Sequence, residues 1–175
     1  FQFVGKWALC VLFIWVTHEL SHFLTSHFLG IRTTLSLNSV TFEPNQLIAP
    51  REHLYIDASG PLATLTIAFL AFRLLKKRWS VWYFALVFTA FYMRSLAGIM
   101  NFINLNDEGR ISNHLGFGTY TIPLLVIAPL LWMIYRISKT YRLSKRFLIT
   151  TTIITMVTSS VIILLDPYLK TPVSP

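Results

Sequence analysis

Carboxylates are scarce in this chain. Of 175 residues only seven are acidic, and only 13% are charged. Soluble domains carry roughly twice that share of charge, so a water-facing globular unit is excluded. Cysteine is nearly missing as well. Cys10 is the only one, so no internal disulfide can form and the redox compartment is not encoded in thiols. Internal repeats, low-complexity tracts and a second soluble domain are absent, which removes support for an inverted-repeat transporter or channel. What fills the chain instead is apolar: 54% hydrophobic and 15% aromatic residues, with a mean hydropathy of +0.60. That composition describes an integral membrane protein folded as one transmembrane domain over 1–175.

The excess of bases, fifteen Lys and Arg for a net charge of +8, does not point to nucleic acid. Most lie in two short runs between apolar stretches, where they read as topology signals and contacts for anionic lipid. A bilayer core takes roughly 20 apolar residues per helix. Five stretches meet or approach that length: 7–29, 58–75, 81–103, 119–137 and 147–165. No small-residue cleavage site follows the first, which therefore reads as a retained helix rather than a signal peptide. The basic loops 73–79 and 136–146 are assigned to the cytoplasm. Helix one then runs outward, and segments 30–57 and 104–118 share the opposite face. Within 31–57, alternating and β-branched residues at Arg32–Leu37 and Val40–Phe42, with a turn at Asn38-Ser39, predict a short β-hairpin. Pro44 and Pro50 are expected to break regular structure after it. The fold class is thus an all-α membrane protein of about five transmembrane helices, with a hairpin between helices one and two.

The first apolar stretch contains His18-Glu19-Leu20-Ser21-His22, an H-E-x-x-H pattern. Residues i and i+4 share a helix face, so His18 and His22 can grip one zinc ion, with Glu19 placed to serve as general base. Three ionisable residues within five positions of a membrane helix mark a functional site, because each is costly in hydrocarbon. The alternative is a polar network that only joins helices. A hydrolytic zinc site takes three protein ligands. The third is expected from Asn104-Leu105-Asn106-Asp107-Glu108-Gly109-Arg110, after a helix that ends on the motif side. Asp107 is the leading candidate and Glu108 the alternative, with Gly109 permitting a tight turn. Arg94, mid-helix, either holds a substrate carbonyl and developing oxyanion or forms an ion pair with Asp57 or Asp107. Asn101 and Asn104, one turn apart, either bond substrate or orient the Asp107 loop. His27, His53 and His114 read as interfacial or loop residues. Five histidines with no adjacent pair cannot fill the two iron sites of a membrane desaturase.

These residues resemble the site-2 protease family of intramembrane zinc metalloproteases, in a minimal form. His18 to His22 is similar to its zinc motif. Ser59-Gly60-Pro61-Leu62-Ala63-Thr64 is similar to its small-Gly-Pro-x-x-Asn motif, with Thr64 in place of Asn. Asn104 to Gly109 is similar to its Asn…Asp-Gly region, with one residue inserted before the glycine. The likeness spans about 7–113 and leaves 119–165 as accessory helices. It implies a multi-pass protein of a bacterial cytoplasmic membrane that binds Zn2+ and hydrolyses a peptide bond of a membrane-embedded substrate. It also implies that Gly60, Pro61 and Thr64 either contact substrate or support the residues that do, with Thr64 departing from the family's substrate-binding Asn, and that the hairpin engages substrate. The family holds its zinc toward the cytosol, whereas the charge count here places the motif in the outer half of helix one. The competing expectation is a catalytically inactive relative that binds membrane proteins as a scaffold subunit. The intact Glu19 favours the enzyme. The Ser/Thr-rich stretch Thr150 to Ser160 is expected to offer small residues to a partner membrane helix.

Overall fold

Long apolar helices joined by short links dominate the computed structural model, which describes residues 2–168. The order is α1 (Gln2–Phe28), β1 (Thr33–Leu35), β2 (Val40–Phe42), α2 (Pro50–Leu75), α3 (Val81–Met100), α4 (Asp107–His114), α5 (Thr121–Thr140), α6 (Lys145–Leu165) and a closing 3₁₀ turn (Asp166–Tyr168). All helices except α4 are long and apolar enough to cross a bilayer. The expected five-helix bundle with an antiparallel hairpin is what the chain forms. The hairpin pairs Thr33 with Phe42, Thr34 with Thr41 and Leu35 with Val40. Its turn is closed by the Ser36 hydroxyl, which donates to the Ser39 carbonyl at 2.9 Å.

Several boundaries differ from the hydropathy reading. Helix α1 begins five residues earlier than expected, and α3 ends three residues sooner. Helix α2 starts at Pro50 rather than 58. A proline at the first helical position lacks only an N–H that has no helical partner anyway, so Pro50 opens the helix instead of breaking it. Glu52 reinforces that start by accepting from the Ala49 N–H at 2.7 Å. The polar stretch after α3 was expected to be a loop but contains α4, whose single turn-pair is too short and polar to register as periodic. The second basic loop is also shorter than 136–146, because Arg136 and Lys139 lie on α5 and Lys145 and Arg146 on α6.

Helix α1 is the hub. Its buried residues are Trp7, Cys10, Val11, Ile14, Trp15, His18, Glu19, His22 and Ser26, a stripe with helical spacing. The N-terminal part of the stripe packs with Phe84, Phe88 and other apolar residues of the core. Its C-terminal part carries the H-E-x-x-H residues. Helix α6 lies along α1, with the Trp7 indole donating to the Thr155 hydroxyl at 2.8 Å and the Trp15 indole to the Ser159 hydroxyl at 3.2 Å. Thr151, Thr155 and Ser159 of the small-residue stretch 150–160 are thus buried inside the chain's own bundle, whereas Thr150, Thr152 and Ser160 are exposed. At the far end of α6, Asp166 accepts from the Asn38 N–H at 2.7 Å and so ties the hairpin turn to the bundle.

Charge is segregated along the bundle. The start of α1 (Lys6), the α2–α3 link (Arg73, Lys76, Lys77, Arg78) and the α5–α6 link (Arg136, Lys139, Arg142, Lys145, Arg146) gather at one end. Contacts of Trp79 with Tyr141 and Phe147, and of Phe3 with Phe147, hold these segments together. The acidic residues belong to the hairpin, the motif, the N-terminal turns of α2 and α4, and the end of α6.

Replacing Thr155 with the near-isosteric valine leaves the buried Trp7 N–H without its acceptor. A loss of about 1 kcal/mol is expected, measured by denaturant unfolding in detergent. Stability equal to wild type would show that this bond adds nothing net.

Candidate metal centre

Three side chains from two distant segments meet at the C-terminal part of α1. His18 and His22 project from successive turns, and Asp107 arrives from the first turn of α4. His18 Nε2 lies 3.1 Å from Asp107 Oδ2 and 3.1 Å from His22 Nε2, and the remaining side of the triangle, His22 Nε2 to Asp107 Oδ2, is 3.3 Å. Tetrahedral zinc with ligands at about 2.0–2.1 Å sets neighbouring ligand atoms about 3.3 Å apart. The three atoms therefore form one face of such a tetrahedron, and they are the group among the described residues that can hold a metal ion. The donor chemistry, two imidazole nitrogens and a carboxylate oxygen, also fits zinc.

Each ligand is oriented by a neighbour. His22 Nδ1 donates to the Ile56 carbonyl at 2.6 Å, which leaves its Nε2 lone pair facing the centre of the triangle. Ser59 Oγ stands 3.3 Å from the same Nδ1 and itself donates to Ile56 O at 2.7 Å. Pro61 cannot donate to the Asp57 carbonyl one turn back, so the helical ladder of α2 has a gap beside this contact. Gly60 lets α2 approach closely. A Cβ there would overlap His22 Nε2 and lie 2.5 Å from His18 Cε1. Thr64 is fully buried and turns its hydroxyl to the carbonyls of Gly60 and Pro61 rather than to an open site.

Asp107 is held from its other side. Its Oδ1 accepts from Arg110 Nη2 at 2.7 Å, and the same guanidinium forks onto Asp57 of α2 at 2.8 and 3.0 Å. Burial opposes ionisation of Asp107, but its contacts with His18 and His22 outweigh that and hold its carboxyl well below the usual range. The start of α4 is fixed by Asn101, whose Oδ1 accepts from the Asn106 N–H at 2.7 Å. Gly109 serves this packing rather than a tight turn: it lies inside α4, and a Cβ there would overlap Asn101 Oδ1.

The geometry separates the two carboxylate candidates. Glu108 is turned away from the histidines and pairs with Arg94 Nη1 at 2.7 Å, both groups being buried. Of the two expected Arg94 partners, Asp57 belongs to Arg110 instead, whereas Asp107 does pair with Arg94 Nη1, at 3.7 Å and behind the closer Glu108. Arg94 Nη2 stands 3.5 and 3.4 Å from the two ring nitrogens of His18, set against the ring rather than aimed at one lone pair. Asn101 orients the Asp107 segment, whereas Asn104 is exposed and contributes only its carbonyl, to Asn106 Nδ2 at 3.3 Å. Glu19 is buried beside the triangle, and its carboxylate makes no hydrogen bond to any described residue. His27 and His53 contact Phe23 and Phe42 instead of the cluster, and His114 closes α4. Sequence reasoning missed the Arg110–Asp57 pairing and the Ile56 carbonyl. Only one signal was present, the i, i+3 spacing of Asp107 and Arg110, and it required knowing that this stretch is helical.

Comparison with known protein families, curated proteins and solved structures returns no match.

Gly60→Ala forces the added methyl into the histidine pair and is expected to cost about 2 kcal/mol of stability. Gly5→Ala in α1, where nothing lies within 4 Å of the new Cβ, is expected to stabilise by roughly 0.5–1 kcal/mol. Thermal unfolding of the two variants beside wild type reads the contrast. Equal behaviour would mean that α2 does not need to approach the histidines this closely.

Proposed function

We propose that this protein is an intramembrane zinc metalloprotease that cuts a peptide bond of a membrane-embedded substrate. The observation that carries the reading is the 3.1–3.3 Å triangle of His18, His22 and Asp107 with the unengaged carboxylate of Glu19 buried beside it. His18, His22 and Asp107 would hold the ion. When bound, zinc supplies Lewis acidity and brings water to a pKa of about 7, so that a nucleophile exists at neutral pH. The chain's own residues do the rest. Glu19 takes the proton of the attacking water on a carboxylate oxygen and delivers it to the departing amine nitrogen. No described residue donates a hydrogen bond to that carboxylate, so it is free to take up this proton. Arg94 adds a fixed positive charge at the edge of the site, already neutralised by Glu108. Its role is to balance the buried carboxylates, and it stands too close to His18 to act at a distance.

Substrate delivery follows from the fold. A peptide bond inside a helix is shielded, so cleavage needs an unwound segment. The two-stranded hairpin, held on α1 and tied to α6 through Asp166, has free edges to which an extended segment can add. By the positive-inside rule the basic end of the bundle faces the cytoplasm, and the site lies in the half away from it.

Metal analysis of protein purified in detergent tests this directly. About one zinc per chain is expected in wild type, lost in His22→Ala and in Asp107→Ala. Glu19→Gln is expected to keep the metal and abolish cleavage of a transmembrane reporter peptide. Metal-free wild type would overturn the reading in favour of a polar network that joins α1, α2 and α4. Arg110→Lys keeps the charge but loses the fork that fixes Asp107, and zinc affinity is expected to fall about tenfold. An unchanged affinity would show that Asp107 needs no such support.

A further inference from the structure

At the basic end of the bundle, away from the proposed metal centre, a groove of about 770 Å³ opens between the α2–α3 and α5–α6 links. Phe3, Trp79, Tyr141 and Phe147 give it aromatic walls, and Arg142 and Ser144 supply its polar rim. Ten of the fifteen Lys and Arg residues of the chain belong to the segments around it. None of those ten forms an ion pair among the described residues. The wall is built firmly: Trp79 lies 5.0 Å from Tyr141 between ring centroids, and the Tyr141 hydroxyl donates to the Leu75 carbonyl at 2.6 Å.

Arg142 adds an independent observation. Helix α5 ends in a Schellman turn, with the Leu143 N–H donating to Ser138 O at 3.0 Å and the Arg142 N–H to Lys139 O at 3.4 Å. The residue at the left-handed position of such a turn is usually glycine. Here it is Arg142, at φ 50°. A long cationic side chain occupies a backbone position that disfavours any Cβ, and it does so at the rim of the groove. Strain of this kind points to a use for the side chain.

We infer that this groove is a binding site for one anionic phospholipid, its headgroup phosphate held by Arg142 and its glycerol and upper acyl chains against Trp79, Tyr141 and Phe147. The occupant follows from charge and place. The groove lies where the ends of α2, α3, α5 and α6 meet the membrane surface, its surroundings are cationic throughout, and its walls are apolar. A phosphodiester carrying hydrocarbon matches all three, and a guanidinium binds phosphate with two parallel hydrogen bonds.

The experiment measures the thermal unfolding midpoint of the full chain in nonionic detergent. Short-chain phosphatidylglycerol, phosphatidylcholine with the same chains, inorganic phosphate and an oligoglutamate peptide are titrated separately. Phosphatidylglycerol is expected to raise the midpoint in a saturable way, and the other three to leave it unmoved. Arg142→Gly relieves the left-handed strain, so the variant folds at least as well as wild type, yet it is expected to need about tenfold more phosphatidylglycerol for the same shift. Arg73→Gln is the control, since that guanidinium lies 5.9 Å over the Phe69 ring outside the groove, and it is expected to respond as wild type does. The inference is overturned if phosphatidylcholine, phosphate or the peptide stabilises equally. It is also overturned if Arg142→Gly keeps wild-type affinity, or if Arg73→Gln loses as much as Arg142→Gly, because the lipid would then see only diffuse charge.

Discussion

Apart from Glu19, the ionisable groups carried into the middle of the apolar bundle are matched to one another, and the arrangement of the half that carries the site follows from that requirement. An unpaired charge in hydrocarbon costs several kcal/mol, and even a paired one gains little unless its hydrogen bonds are complete. Asp107 meets the condition by dividing its oxygens, one to Arg110 and one to the histidines. Arg110 reaches on to Asp57, and Arg94 takes Glu108. Two guanidiniums and three carboxylates thus lock α2, α3 and α4 around α1. Removing any member leaves a charge without its partner, so the residues that position the site and those that hold the helices together are the same residues.

Helix α1 bears both demands because one face serves the core and the site in succession. From Trp7 to Trp15 the buried face is apolar or indole, and from His18 to Ser26 it is polar. The other face, with Leu9, Leu12, Phe13, Val16, Leu20 and Leu24 exposed, meets lipid throughout. Lipid and core are equally apolar, so side-chain polarity does not distinguish the faces until the histidines begin. Hydrophobic packing alone has little to discriminate with in such a bundle. The indole–hydroxyl bonds from Trp7 and Trp15 to α6 supply direction, since each fixes the rotation of both helices.

This explains which features were legible in the sequence. The spans were readable because a bilayer demands length and apolarity in one run. The hairpin was readable because Thr33–Leu35 and Val40–Phe42 alternate around a polar turn. The histidine pair was readable because i, i+4 spacing on a helix is a local fact. The start of α2 was not, since Pro50 terminates structure in one context and initiates it in another, and only the backbone ahead of it decides which. Helix α4 was hidden because eight residues leave too little periodicity, and with it went the partnership of Arg110 with Asp57, fifty-three positions apart in sequence. The choice between Asp107 and Glu108 was equally out of reach. Adjacent residues on a helix point about 100° apart, so the placement of α4 sends one toward the histidines and the other toward Arg94.

A metal ion and a set of protons would leave different atoms of the triangle unpaired. With Nδ1 of His22 donating to Ile56 O, a neutral His22 presents a bare lone pair to the centre. Asp107 Oδ2 presents another. His18 Nε2 stands 3.1 Å from both, and a single proton on that nitrogen cannot point along two directions at full strength. A second proton on His22 would satisfy the geometry by pairing its Nε2 with Asp107 Oδ2 at 3.3 Å, but it adds a cation beside His18. The divalent ion proposed above would serve all three atoms at once and offset the carboxylate without any proton. It would also give meaning to two features that a proton-linked network leaves idle: the absence of a Cβ at residue 60, which brings α2 against the imidazole pair, and the buried Glu19, which has no hydrogen-bond partner among the described residues.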